Sequence, residues 1–225
     1  MLTLQHPYIS VDVHGRPSFG GGQQHSPDPM LRRCGCGIIA AADLLLYLSR
    51  YHVPGSTCFD GLPAEGSIPL PDYNALILRL HRRYFPVIPY AGINGPMLMA
   101  GMLRVFRDFH MPFTARWCFS HERLWTRIES QLQKDIPVIL SVGPNFPVFW
   151  GKKTVRFYTK TDAGVYIPTS GARAHFITVT GLDETWMQIS SWGRRYYLSR
   201  AEFIAYARGD SLSPASNILL VERRG

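Results

Sequence analysis

The chain has 225 residues, which is enough for one substantial hydrophobic core. Hydrophobic residues make up 46% and charged residues 18%, a globular composition that excludes a disordered chain. The formal net charge of +8 favours anionic partners. The basic residues occur mainly as pairs and form no specific nucleic-acid motif, so we interpret them as solvated surface charge and keep an acidic partner as an alternative.

The cysteines and the N-terminus limit the class of protein further. Four cysteines are too few for a disulfide framework. Cys34 and Cys36 have no second pair and no nearby histidine pair to complete a zinc site, so we expect no metal and no cofactor. The first residues lack the features of a secretory signal, and no apolar stretch approaches the ~18 residues of a membrane span. These features predict a cytoplasmic protein, with export by another route and the oligomeric state left open.

The first part of the chain predicts an arm followed by a buried helix. Residues 9–33 are rich in Gly, Pro, Asp and His, and the Gly20-Gly21-Gly22 run excludes the interior of a regular element. We therefore predict an N-terminal arm at residues 1–33 and a single domain at residues 34–225. Residues 37–48 predict a helix that is apolar on all sides except at Asp43, so the helix is buried and Asp43 needs a buried partner.

The remaining elements change from helices to strands along the chain. After a loop at residues 54–71, the apolar pattern and the Pro and Gly boundaries predict helices at residues 72–84, 95–109 and 121–134, with strands at 113–119 and 138–142. Segments rich in β-branched and aromatic residues then predict strands at 153–160, 174–182, 185–190, 195–198 and 217–222, with a short helix at 199–207. Helices first and strands later indicate an α+β fold.

Cys36 stands at the predicted N-terminus of the buried helix. Unpaired N–H groups and the positive end of the helix dipole stabilise a thiolate at such a position. The N–H of Cys36 could also serve as an oxyanion donor, and Gly37 would leave room for a substrate. Cys34 precedes a glycine as well and is the rival nucleophile, but the apolar helix starts directly after Cys36, which favours Cys36.

His175 is the second residue of the strand predicted at residues 174–182. Alternation places His175, Ile177 and Val179 on one face of that strand. A histidine at the end of a strand that faces a helix N-terminus has the geometry that a thiol base requires. We therefore predict a Cys36–His175 dyad.

Three short motifs carry a family resemblance. They are Cys-Gly-x-x-Ala-Ala-Ala-x-x-Leu-x-Tyr from Cys36, Pro-Val-Ile-Leu-x-Val from Pro137, and His-Phe-Ile-Thr-Val-Thr-Gly-Leu-Asp from His175. In this order they resemble the papain-like cysteine peptidases, and most of all the bacterial branch that includes the double-glycine leader peptidases. The resemblance covers roughly residues 32–203. It implies a papain-like α+β fold, in which a buried N-terminal helix carrying the cysteine packs against a C-terminal antiparallel sheet.

The segment from Ser190 to Gly193, Ser-Ser-Trp-Gly, is similar to the Asn-Ser-Trp-Gly segment of papain-type enzymes. The similarity implies that Ser190 takes the place of the residue that orients the catalytic histidine, and that Trp192 forms a wall over the pair. A serine hydroxyl adds no charge to stabilise an imidazolium. Asp183 is an alternative for this role.

Two further positions bear on substrate binding. The family places an oxyanion glutamine about six residues before the nucleophile, where this chain has Met30, while Gln23 and Gln24 lie further upstream. Asn145, in the loop after the strand predicted at 138–142, is a candidate substrate-binding residue together with Gly37 and Trp192.

The resulting functional expectation is a cysteine hydrolase, either a peptidase or an amidase. It would act on a peptide or amide substrate through a thioester acyl-enzyme on Cys36, with His175 as base. One alternative is an acyltransferase or transglutaminase-like enzyme with a similar Cys–His site. The other is a catalytically degenerate papain-like domain that binds peptides or an anionic partner, which the missing Asn or Asp and the missing upstream glutamine favour.

Overall fold

The computed structural model describes residues 1–54, 59, 61–63, 65–148 and 151–224. The chain combines helices with one large antiparallel sheet, as the α+β prediction requires. The loop predicted at residues 54–71 lies partly outside the described residues.

The N-terminal segment forms several short elements instead of one long loop. They are β1 (Leu2–Thr3), β2 (Val11–Val13), β3 (Arg16–Pro17), a 3-10 turn (Gln23–His25) and helix α1 (Pro29–Cys34). Strand β2 pairs with β3 and, in parallel, with β4 (Ile68–Pro69). Ile9 and Val11 are buried in the same core as the first long helix. The predicted boundary at residue 33 therefore falls inside α1, because apolar residues of the arm pack as part of the domain.

Five longer helices follow, close to their predicted limits. They are α2 (Cys36–Tyr51), α3 (Leu70–Arg83), α4 (Gly95–Asp108), α5 (Leu124–Gln133) and α6 (Arg200–Gly209). Asn94 and Ser199 cap α4 and α6 by accepting a hydrogen bond from an amide three residues on. Helix α2 is buried from Gly37 to Leu48. Within the described ranges, no helix combines the length and apolarity needed to cross a membrane.

The large sheet is antiparallel and has a long strand at its centre. Its strands are β5 (Phe113–Trp117), β6 (Val138–Val142), β7 (Val155–Lys160), β8 (Tyr166–Ala172), β9 (His175–Leu182), β10 (Trp186–Ser191), β11 (Arg194–Ser199) and β12 (Ile218–Arg223). The order is β5-β12-β6-β9-β10-β11-β7-β8, and β1 also pairs with β9. The sequence did not predict β8, an edge strand whose exposed residues and Pro168 hide the strand pattern.

Helices cover both faces of the sheet and create two hydrophobic clusters. Residues of α2, α3 and α4 pack in the first cluster, and residues of α5 and α6 pack in the second. In β9, Phe176 joins the first cluster while Ile177 and Val179 join the second, so the alternation predicted for this strand is present. Strand β9 is buried along its whole length, including its first residue, His175.

Candidate active site

Cys36 is the first residue of α2, and Gly35 joins this helix to α1. The Gly35 amide donates to the Leu31 carbonyl at 2.8 Å, while the Gly35 carbonyl accepts from the Ile38 amide at 3.0 Å. A Cβ on Gly35 would overlap the Leu31 carbonyl oxygen, so glycine is required at this corner. The corner ends one helix and starts the next, and it places the Cys36 sulfur beside the backbone of Phe176 in β9.

His175 is the first residue of β9 and is held by two neighbours. Its Nε2 and the Oγ of Ser191, the last residue of β10, share a hydrogen bond of 2.8 Å. The Trp192 ring stacks on the imidazole with centroids 4.6 Å apart and an interplanar angle of 21°. These two contacts fix the plane of the imidazole and engage its Nε2.

Cys36 and His175 line the same narrow cavity between α2 and the sheet. Asp43, Ser191 and Trp192 are also among its lining residues. The cavity leaves about 20 Å³ for water, which is room for about one molecule. The structure thus brings the two predicted reacting residues to one small, sheltered space that is too narrow for a substrate side chain.

Asp43 lies about two helical turns beyond Cys36 and extends the polar lining of the cavity. Its carboxylate accepts hydrogen bonds from the Tyr73 hydroxyl at 2.7 Å and the Tyr8 hydroxyl at 3.2 Å. The Gly21 amide donates to both carboxylate oxygens, at 3.1 and 3.0 Å. The expectation that Asp43 has buried partners is confirmed, and two of the three come from the N-terminal arm.

The glycine-rich part of the arm closes one side of the cavity. The Phe19 amide donates to the Gly193 carbonyl at 2.9 Å, and the Phe19 carbonyl accepts from the Ser190 hydroxyl at 2.7 Å. Gly20 has a φ of +79°, and a Cβ there would overlap the Ser190 hydroxyl and the Asp43 carboxylate. Glycine is therefore needed where the backbone of the arm lies directly on these buried polar groups.

Two glutamines of the arm also reach the site. Gln23 lines the cavity with Cys36, and its side-chain amide donates to the carbonyls of Arg32 and Arg33 at 2.9 and 3.3 Å. The side-chain amide of Gln24 donates to the Trp192 carbonyl at 3.0 Å. Folding of the arm, and not proximity in sequence, thus places Gln23 in the lining of the cavity that Cys36 also lines.

Burial sets the protonation states of the cavity. It lowers the pKa of the His175 imidazole to about 4. It also raises the pKa of the Cys36 thiol, against hydrogen bonds from the backbone of Phe176 and Gly37 that act in the opposite direction. Burial raises the pKa of the Asp43 carboxyl to about 6, although the bonds from Tyr73, Gly21 and Tyr8 lower it. At neutral pH Cys36 is therefore a thiol and His175 a neutral imidazole.

The prediction that Ser190 orients His175 is wrong. Ser190 pairs with Thr178 across the sheet and donates its hydroxyl to the Phe19 carbonyl, whereas the next residue, Ser191, bonds to the imidazole. Because neighbouring residues of a strand point to opposite faces, only one of the two serines can meet the ring. Sequence reasoning missed Ser191 by one position.

Two predicted substrate-binding residues do not lie at an open cleft. A Cβ on Gly37 would overlap Ile93 and press on Phe176, so side chains of the protein fill the space that was expected for a substrate. Asn145 is buried away from the cavity and donates to the Lys153 carbonyl at 3.1 Å and the Tyr206 hydroxyl at 3.2 Å. Trp192 does lie at the site, as the stacking partner of the imidazole.

The cavity offers a thiol, an imidazole, two serine hydroxyls and a carboxylate. Within the described ranges, no group of three or more His, Cys, Asp or Glu side chains is arranged to hold a metal ion. The groups present are able to carry out nucleophilic and general-base chemistry. No protein-family model, curated protein or solved structure was found to match the chain.

Proposed function

We propose that the chain is a papain-like cysteine hydrolase that cleaves a peptide or amide bond. The observation that carries the proposal is the shared cavity. Cys36 at the start of α2 and His175 at the start of β9 both line it, and Ser191 engages Nε2 of the histidine. A helix that presents a cysteine to a histidine on an antiparallel sheet is the arrangement implied by the papain-like resemblance.

The neutral imidazole keeps a lone pair with which it can act as a general base, although its lowered pKa makes it a weaker base than a free imidazole. In the tautomer with hydrogen on Nε2, the Ser191 hydroxyl accepts that hydrogen and Nδ1 keeps its lone pair. Nδ1 takes the thiol proton as the sulfur attacks the substrate carbonyl carbon, and the carbonyl oxygen becomes an oxyanion. The free N–H groups of the first turn of α2 can donate to that oxyanion.

Proton transfer then completes the cycle. The imidazolium gives its proton to the leaving amine as the C–N bond breaks, which leaves a thioester on Cys36. A water molecule loses a proton to the imidazole and attacks the thioester, and the returning proton restores the thiol as the carboxylic acid product leaves. Trp192 shields the imidazole from bulk water, so the ring stays neutral between the transfers.

Reaction with iodoacetamide tests the nucleophile. We expect Cys36 to be alkylated faster than the other cysteines, and His175→Ala to slow this reaction by about tenfold or more because the base is lost. Cys34→Ser and Cys118→Ser are matched controls, since one removes the rival thiol and the other a buried thiol. Peptide mapping by mass spectrometry reads the sites. Equal labelling of Cys34 and Cys36, or labelling of Cys36 that does not depend on His175, would contradict the proposal.

A catalytically inactive domain of the same fold is the second candidate. The neutral resting pair favours it, as does the Ser191 hydroxyl at His175 Nε2, because a hydroxyl adds no charge to stabilise an imidazolium. Incubation with a broad peptide library separates the two candidates. Hydrolysis that is lost in Cys36→Ala supports the enzyme, whereas peptide binding with no product and no acyl-enzyme supports the inactive domain.

A further inference from the structure

A larger groove lies beside the candidate active site, on the outer side of α1. It has a volume of about 480 Å³, which is within the range of pockets that hold small ligands or a few peptide residues. Its lining includes Met30, Arg32, Arg33, Cys34, Pro89 and Tyr90. By contrast, the cavity at Cys36 has room for only about one water molecule. Recognition of a substrate therefore needs a surface outside that cavity.

The groove adjoins the nucleophile through a shared wall. Cys34, two residues before Cys36, lines the groove. The loop on the opposite wall contacts the same corner of the chain, because Gly92 lies against the Cys34 carbonyl and Ile93 lies against Gly37. A peptide in the groove would thus have its chain close to the N-terminal end of α2.

The lining of the groove combines basic and apolar side chains. Arg32 donates from Nη1 to the carbonyls of Ser26 and Pro27 at 2.8 and 3.1 Å, which holds its guanidinium in place. Arg33 is exposed, and no ion pair within the described residues involves either arginine. Their charge is therefore available to a ligand, and a guanidinium binds a carboxylate through paired, charge-assisted hydrogen bonds.

Tyr90 adds a donor and an apolar surface at the rim. Its side chain is 90% exposed and its backbone has a φ of +65°, which costs free energy for a residue with a bulky side chain. Two hydrogen bonds of 2.8 Å between Ile88 and Gly92 hold the turn that presents it. A rigid turn with an exposed tyrosine beside two arginines suits a ligand that is both anionic and partly apolar.

We propose that this groove binds an acidic residue of the peptide substrate, with its carboxylate on Arg33 and Arg32 and an adjacent apolar side chain on Met30 and Pro89. The inference rests on the proposed function, because it assigns a substrate class to the same site. A peptide fits better than a nucleic acid, since the described lining includes Met and Pro side chains and a single aromatic ring for stacking.

Fluorescence anisotropy of labelled peptides tests the proposal. One set of short Ala/Leu peptides carries a single Glu at successive positions, and the matched set carries Gln. Binding is measured on the full chain with Cys36→Ser, which prevents turnover. We expect the best Glu peptide to bind about fivefold more tightly than its Gln counterpart at low salt, and this preference to decrease as salt screens the charges.

Two charge reversals serve as a matched pair. Arg33→Glu should abolish or invert the preference for Glu, whereas Arg223→Glu, the same change at an exposed position on β12, should preserve it. Equal affinity for the Glu and Gln sets would overturn the proposal. Tighter binding of a single-stranded oligonucleotide than of any Glu peptide, with the same dependence on Arg33, would also overturn it.

The readouts separate this inference from the proposed function. Iodoacetamide can react with Cys36 without binding in the groove. Normal labelling of Cys36 together with no preference for Glu peptides would therefore refute only the proposal that the groove binds an acidic residue. An unreactive Cys36 together with a Glu preference that depends on Arg33 would refute only the hydrolase.

Discussion

The two buried ionisable residues of the cavity predict opposite effects of pH on stability. Below pH 6.5 the unfolded chain protonates His175, while the folded chain keeps it neutral down to about pH 4. The stability that neutral His175 contributes is therefore present above pH 6.5 and lost as the pH falls toward 4. For Asp43 the pKa is about 6 in the folded chain and 3.8 in the unfolded chain. As the pH rises from 3.8 toward 6, the unfolded chain releases this proton first, so stability is lost over that range.

The two effects are similar in size. Each shift in pKa corresponds to a change of about 3 kcal/mol in the free energy of unfolding across its window. Because the windows overlap and the signs oppose, the contributions nearly cancel in the native chain. Single substitutions should reveal them.

We therefore expect opposite slopes in two variants. His175→Gln leaves only the Asp43 effect, so relative to the native chain its free energy of unfolding should fall by about 3 kcal/mol as the pH rises from 4 to 6.5. Asp43→Asn leaves only the His175 effect and should show a rise of similar size. Urea denaturation followed by circular dichroism across this range gives both slopes.

The double variant is the control. It should recover the pH dependence of the native chain, since the remaining titrating groups are common to all four proteins. Each substitution also changes absolute stability, but the comparison uses only the slopes. If the slope of His175→Gln differed from that of the native chain by less than about 1 kcal/mol over the range, His175 would not be buried and neutral, and the general-base chemistry would lose its basis.

Three further predictions concern neighbouring residues. Ser191→Ala should slow iodoacetamide labelling of the nucleophile about fivefold, whereas Ser190→Ala should leave that rate within about twofold and instead lower stability by about 1 kcal/mol, as judged by urea denaturation. Gly37→Ala should lower the free energy of unfolding by about 1–3 kcal/mol, and adding Ile93→Ala should offset part of that loss by making room for the new methyl group. Asn145→Ala should lower the melting temperature without changing the labelling rate, because Asn145 bonds to a loop and not to the cavity; a slower rate in this variant would contradict that placement.

Local sequence signals were sufficient for the elements that carry Cys36 and His175. The apolar run after Cys36 predicted a buried helix, and α2 is buried from Gly37 to Leu48. The β-branched run after His175 predicted a strand, and β9 is buried throughout. In both cases the side chains that form the core also specify the secondary structure, so the start of each element was predicted to within one residue.

The N-terminal arm could not be predicted in the same way. Its glycines signalled a loop, but they do not specify what the loop packs on. The contacts of Gly20 and Gly21 with Asp43 and Ser190 join residues that are far apart in the chain. The arrival of Gln23 at the cavity has the same origin, because it depends on the path of the arm over α2. A prediction from the local sequence pattern cannot identify contacts between residues that are far apart in the chain.

The error at Ser190 has a more specific cause in the pairing of β9 with β10. The assignment rested on the similarity of Ser-Ser-Trp-Gly to Asn-Ser-Trp-Gly, which does not specify the register in which β10 pairs with β9. The register shifts between Gln188 and Ile189, since Gln188 pairs with Gly181 while Ile189 pairs with Val179. Thr180 of β9 is thereby left unpaired and Ser190 pairs with Thr178, so Ser190 shares the face of Thr178 and not that of His175. Ser190 is thereby directed to the arm and Ser191 to the imidazole. The bulge thus determines which serine bonds to the His175 imidazole. A motif taken from the sequence of β10 alone does not contain that information.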